Sequence, residues 1–253
     1  MRNIVLVIVF LLSISLQVNA QWGWHSPSPQ GNAINDVAML SRDTLICVGE
    51  FGTILRSTNA GGSWQNQTRI NESDLNKIYF IDNKTGWIAG AMGKVMKTTD
   101  AGETWFTQST STSLTLYDVE FTSIDKGFVV GENGYIAKTT NGGNSWQAIT
   151  TTQLTLFSLQ FIDSLNAWAV GDGISRTTNG GVSWVDVDQQ LASYYHSVFF
   201  INNDTGWIST NEGKIIKTTN AGVDWEIIVP DSTIWGYLKI QFIDPNNGWL
   251  VSF

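Results

Sequence analysis

The sequence predicts an all-β protein, a β-propeller of four-stranded antiparallel blades, with five complete blades and a partial sixth. Three observations predict it. A segment ending in tryptophan recurs five times, closing at Trp64, Trp105, Trp146, Trp184 and Trp225, with gaps of 41, 41, 38 and 41 residues. Each repeat holds four short stretches with strand character, and four strands in about 40 residues are the mark of a propeller blade. Nothing past the first 20 residues sustains a helical apolar period.

The chain opens MRNIVLVIVFLLSISLQVNA, with Arg2 ahead of an apolar run from Ile4 to Leu16 and a small-x-small ending at Val18-Asn19-Ala20. This reads as a signal peptide over residues 1–20, cut before Gln21. The run is short for a membrane span, and no later segment is long and apolar enough to be one. The expected location is therefore export: periplasm, cell surface or medium. Residues 21–253 form the propeller domain, in repeats near 32–72, 73–112, 113–152, 153–190 and 191–231, with a partial unit at 232–253.

Within each unit the first strand alternates apolar residues and ends in an aromatic: YDVEF at 117–121, FSLQF at 157–161, HSVFF at 196–200 and LKIQF at 238–242. Its apolar pair is Val119/Phe121, Leu159/Phe161, Val198/Phe200 and Ile240/Phe242. Ile78/Phe80 and Val37/Met39 hold the same places earlier. The second strand is GWIAG, GFVVG, AWAVG or GWIST; the third is KVMKTT, YIAKTT, GISRTT or KIIKTT; the fourth starts at the closing tryptophan. Apolar residues on both faces suit sheets packed face to face. The short fourth unit loses two residues between Gly171 and Thr177. A parallel β-solenoid is the competing fold, and it lacks the four-strand meander. After Phe253 a Gly turn, a third strand and a box are missing, so the sequence is expected to be a fragment of a larger ring. The other expectation is a six-blade ring closed by Trp22 and Trp24 of Gln21-Trp22-Gly23-Trp24.

The recurring segment reads [ST]-x-[DN]-x-G-x-[STD]-W. Asn59, Asp100, Asn141, Asn179 and Asn220 are expected to close Asx-turns on backbone two residues on. Gly61, Gly102, Gly143, Gly181 and Gly222 would supply a positive φ, and each tryptophan would bury a large ring. A catalytic centre in a ring needs unlike residues converging once. The same residues five times are a structural staple.

The segment resembles the Asp-box, or BNR, repeat of sialidases, sortilin-type receptors and some glucan hydrolases. The longer unit is more specific: GEFGTILRSTNAGGSW at 49–64, GAMGKVMKTTDAGETW at 90–105 and GENGYIAKTTNGGNSW at 131–146. It resembles the photosystem II assembly and stability factor family and its bacterial relatives outside photosynthesis. That resemblance implies a propeller that binds a client. A cation in the third strand of each blade would form a client-binding patch, here Arg56, Lys97, Lys138, Arg176 and Lys217. Three of the five are lysine, which lacks the planar fork of arginine.

Composition narrows the function classes. Removing residues 1–20 leaves 13 Lys+Arg against 22 Asp+Glu, so the chain is acidic and a poor partner for nucleic acid. Cys47, the only cysteine, lies in the apolar run Leu45-Ile46-Cys47-Val48 and reads as a small buried hydrophobe. His25 and His196 are the only histidines, and no ligand cluster for a metal is visible. No cofactor is expected. The sialidase arginine triad is absent, with Arg42, Arg56, Arg69 and Arg176 the arginines after residue 20. Paired-carboxylate glycoside hydrolysis is the alternative function; Asp74, Glu120, Asp186 and Asp188 are its candidate residues.

The segments leading into the first strands carry Tyr117, Phe157, Tyr194, Tyr195, Trp235 and Tyr237. These would line one mouth of the central channel, as an aromatic rim for a protein partner or a glycan. The expected function is an exported, non-catalytic scaffold that binds a protein partner or assists assembly of a membrane or surface complex.

Overall fold

The structure is a computed structural model that describes residues 31–67, 72–150, 154–187, 190–230 and 236–252. The predicted signal peptide, Gln21, Trp22, Trp24, His25, Arg69, Asp188 and Trp235 lie outside these residues, as does the side chain of Tyr237.

Five antiparallel four-stranded sheets and one two-stranded sheet follow one another along the chain. Their inner strands are Ile34–Met39, Leu75–Phe80, Leu116–Phe121, Leu156–Phe161, Tyr195–Phe200 and Tyr237–Asp244. The second strands are Leu45–Gly49, Gly86–Gly90, Gly127–Gly131, Ala167–Gly171, Gly206–Thr210 and Asn247–Ser252. Third strands run over Thr53–Ser57, Lys94–Thr98, Tyr135–Thr139, Ile174–Thr177 and Ile215–Thr218. The outer strands are short, from the two-residue Gln65–Asn66 to the four-residue Phe106–Ser109 and Gln147–Thr150, and begin just after the box tryptophan rather than at it. Each inner strand carries a register shift near its start, as between Leu75 and Lys77. That bulge turns the side chain of the second residue toward the mouth of the ring.

Apolar residues on both sheet faces form cores between sheets, not within them. Ile46, Val48 and Ile54 of blade one meet Ile78, Ile88 and Met96 of blade two. Trp87 and Val95 of blade two meet Val119, Phe121 and Val129 of blade three, and the pattern repeats to Trp207 and Ile215 against Ile240 of the sixth sheet. Burial of this kind, at about 25 cal/mol per Å² of apolar surface, is the main stabilising term.

The two ends of the array differ from the interior. Val37 and Met39 hold the register of Val119 and Phe121, yet they are 55% and 71% exposed, against 0% and 2%. No described sheet precedes blade one, so the equivalence read from the sequence holds for position and not for burial. Trp249 of the sixth sheet is likewise 60% exposed where Trp87 is fully buried. The ends approach one another at the axis, where Lys239 Nζ lies 3.8 Å from Asp36 Oδ1.

Candidate functional site

The box is a joint between blades. In the third blade the Thr139 hydroxyl donates to Asn141 Oδ1 at 2.9 Å and accepts the N–H of Asn141 at 3.3 Å and of Gly143 at 2.9 Å. Asn141 Oδ1 also accepts the N–H of Ser145, four residues on, at 2.9 Å. The Asx-turn on backbone two residues on is thus not what forms: the hydroxyl two positions ahead of Asn141 closes the tight turn, and the amide clamps the far side. Position seven complements position three. Asn141 donates to Ser145 Oγ, Asn220 donates to Asp224 Oδ2, and Asp100 accepts from the Thr104 hydroxyl.

The box glycines have φ of +84°, +74°, +90°, +73° and +76° from Gly61 to Gly222. The residue before each, such as Ala101 at +60°, is left-handed too. A Cβ on Gly181 or Gly222 would collide with the ring of Phe128 or Trp168 in the preceding blade. The glycine therefore lets the turn lie against its neighbour's second strand.

The third-strand cations close the same joint. Lys97, Lys138, Arg176 and Lys217 lie 5.0–5.5 Å from the centroids of Trp87, Phe128, Trp168 and Trp207. Arg56, Lys97, Lys138 and Arg176 donate to Ala101 O, Gly142 O, Gly180 O and Ala221 O in the box of the next blade, at 2.9–3.1 Å. These half-buried cations have partners inside the ring. Lys217, at the last complete blade, has no later box among the described residues to receive it.

Second, channel-facing side chains sew the inner strands together. Asp36 Oδ2 accepts Ile78 N–H, Asp118 Oδ2 accepts Leu159 N–H and Glu120 Oε2 accepts Phe161 N–H, at 3.1, 2.9 and 2.8 Å. Gln160 both accepts from Phe200 N–H and donates to its carbonyl. Lys77 Nζ sits 3.4 Å from Asp36 and 4.0 Å from Asp118. Burial alone would depress this ammonium; Asp118 and Asp36 outweigh it and hold it above the ordinary lysine range. Burial pushes the Glu120 carboxyl up to about 8, against the Phe161 N–H bond that favours its charge; Asp118 adds to the rise and Lys77 opposes it. A cavity of about 400 Å³ is lined by Lys77, Asp118, Glu120, Gln160, Lys239 and Gln241 among others.

Third, one mouth is aromatic. Tyr117, Phe157 and His196 occupy the bulged second position of successive inner strands. Tyr117 and Phe157 meet edge to face at 5.1 Å, and Phe157 stacks near His196 at 6.1 Å. Asn35 and Asn76 hold the same position on blades one and two and donate to Leu75 O and Leu116 O of the next blade. Burial lowers the His196 pKa, so its ring is neutral at pH 7. A cavity of about 310 Å³ opens there. Around it stand the turns between second and third strands, tied by Glu50 N–H to Ala33 O, Glu132 N–H to Thr115 O and Asp172 N–H to Thr155 O. Phe51 and Met92, at 60% and 73% exposure, crown two of these turns.

Tyr195, expected on this rim, is fully buried in the core and its hydroxyl accepts from Leu191 and Ala192 N–H. It holds the register of Leu75, Leu116 and Leu156; the exposed aromatic of the pair is Tyr194, at 47%. Asp74 accepts Phe51 N–H at the mouth. Asp186 lies on an outer strand, far along the sheet from the channel. Lys77, Asp118 and Lys239 were not singled out from sequence, although their shared place in six aligned inner strands was available. Among the described residues no group of three or more His, Cys, Asp and Glu could hold a metal ion. No described helix is long and apolar enough to cross a membrane.

Sheets stacked around a channel and stapled by recurring boxes define the class: a β-propeller of BNR repeats. The chain belongs to the family described as photosynthesis system II assembly factor YCF48, whose model matches residues 16–114 and 100–248. Among solved structures it is similar to YCF48 bound to D1 peptide, at 24% identity over 88% of this chain and 76% of that one, with a TM-score of 0.72. It is similar to YCF48 from Cyanidioschyzon merolae at 20% identity, over 89% and 81%, with a TM-score of 0.71. A GH74 enzyme from Niastella koreensis shares the fold at 16% identity, over 87% and 44%, with a TM-score of 0.67. No curated protein matches the chain.

Proposed function

We propose that the protein is an exported, non-catalytic scaffold whose aromatic mouth docks a protein partner. One observation carries the reading: the two faces of the ring differ. The mouth face presents Tyr117, Phe157, Tyr194, Phe51 and Met92, side chains that bury large area on docking. The opposite face is built from hairpins such as Asp82–Thr85 and Asp163–Asn166, whose carboxylates are occupied by their own backbone N–H groups, and the exposed apolar side chains of these hairpins, such as Ile124 and Leu165, are aliphatic rather than aromatic. The family's membership and a relative solved with a bound peptide support a protein as partner. The signal-peptide pattern at 1–20 supports export.

Affinity capture from the secreting host tests this, with wild type beside Tyr117→Ala/Phe157→Ala. Loss of one specific protein from the variant is expected; capture unchanged by the variant overturns the docking site. Amino-terminal sequencing of the secreted protein should begin at Gln21. Hydrolysis of a glycan by the wild type, lost in Glu120→Gln, would replace the scaffold reading with the glycosidase one.

A further inference from the structure

We infer that the mouth takes a basic segment of its partner, with a lysine or arginine side chain laid over Tyr117 and Phe157 between Glu132 and Asp172. This rests on the docking role of the mouth and specifies what docks there. Glu132 and Asp172 are the charged groups that act on the Tyr117 phenol, and both lie at the third- and fourth-blade turns beside it. Each uses one oxygen: Glu132 Oε2 accepts Thr115 N–H and Asp172 Oδ2 accepts Thr155 N–H, at 2.9 and 3.0 Å. Neither has an ion-pair partner among the described residues. The matching positions are Glu50 on blade one, Ala91 on blade two and Asn211 on blade five, where Asn211 Oδ1 accepts Tyr194 N–H. Blades three and four are the only successive described blades that both carry a carboxylate at this turn position, and they are the ones that carry Tyr117 and Phe157.

Lys77, Asp118 and Lys239 line the same cavity as Tyr117 and Phe157, and with Asp36 they make two cations and two carboxylates paired at 3.4–4.0 Å, which add no net charge to it. The neutral His196 adds no positive charge to the rim. A cation within about 6 Å of an aromatic face is attracted by its quadrupole, more so when partly desolvated. Two flanking carboxylates add a pull that salt weakens, and the acidic chain as a whole steers basic partners toward it.

The test is fluorescence anisotropy on the full secreted chain. The probes are three labelled peptides of equal length, alternating leucine with lysine, serine or glutamate, at low and high salt, with spermidine as competitor. The lysine peptide should bind at least about tenfold tighter than the serine peptide, and high salt should shrink that margin. Glu132→Gln/Asp172→Asn keeps both acceptors for backbone N–H, so it should leave Tm unchanged and erase the margin. Equal binding of all three peptides, or a margin that survives the double variant, overturns the inference. So does spermidine binding as tightly as the lysine peptide, because the site would then read a free amine rather than a protein segment. If all three peptides bind alike and Phe157→Ala releases them all, the mouth still docks protein and only the charge preference falls. If none binds and partner capture survives Tyr117→Ala/Phe157→Ala, both readings fall.

Discussion

Trp168 of the fourth blade lies face to face with Phe200 of the fifth, their centroids 5.2 Å apart and their planes within 10°. Arg176 stands over the same indole, and Trp225 meets it edge-on at 5.7 Å. One buried ring thus joins a cation of its own blade to the strand and box of the next. Trp168→Ala is expected to cost roughly 3–5 kcal/mol, the range for emptying a packed aromatic site. Chemical denaturation read by tryptophan fluorescence checks it, and an unchanged midpoint would refute the joint.

The box should separate two effects by size. Asn141→Ala removes an acceptor for Ser145 N–H and should cost about 1 kcal/mol. Gly181→Ala puts a methyl into the Phe128 ring at a φ of +73°, so it should destabilise more than Asn141→Ala. Thermal unfolding of the two single variants ranks them, and the reverse order would show that the turn does not press on its neighbour.

Lys77 holds Asp36 and Asp118 of the flanking blades together. Lys77→Met leaves Asp118 without its ion-pair partner and Asp36 with Lys239, and should destabilise by roughly 3 kcal/mol. Adding Asp36→Asn and Asp118→Asn to Lys77→Met should recover part of the loss. A double-mutant cycle with no coupling would dismiss the network.

The Glu120 carboxyl titrates near pH 8 in the fold. Between the ordinary carboxylate range and pH 8 the unfolded chain has lost this proton and the native chain keeps it. The native state then binds more protons, so stability falls as pH rises through that window and levels off above it. Asp118, also raised by burial, acts in the same direction. Tm should decline from pH 5 to pH 8 by less in Glu120→Gln than in wild type; parallel curves would exclude the assignment.

Burial, and then the charge of Asp36, pushes the Cys47 thiol up to about 11. At neutral pH it is protonated and should react with iodoacetamide far more slowly than after unfolding. Mass spectrometry of labelled native protein measures this directly.

The blade order and the strands of each blade were legible because each rests on local, repeated signals. Val119 and Phe121 announce an inner strand by alternation, and Gly143 and Trp146 announce a turn and an outer strand. What the sequence did not display is what lies across a blade boundary. The position of Lys138 is periodic, but its acceptor, Gly180 O, is 42 residues away. Exposure at Val37 depends on which sheet precedes it, which alternation cannot encode. Tyr194 and Tyr195 differ by one step, and a bulge decided which of them reached solvent. The charges of Asp36, Lys77, Asp118 and Lys239 mean little singly and become a network only where six inner strands converge.

Each joint links a blade only to its successor: Arg56 to the second blade, Lys97 to the third, Lys138 to the fourth, Arg176 to the fifth. Nothing in such wiring counts. A stretch cut from one box and pasted before the next would carry its cation, ring, glycine and carbonyl with it and meet the same interface on either side. Gene duplication could therefore lengthen or shorten the array by whole units without redesigning a contact, as an arch gains or loses identical stones. Circumference then becomes a property of the wedge between sheets. The meeting of Lys239 with Asp36 at the axis, between the first and the sixth sheets, is by contrast a contact that senses how many units have been laid.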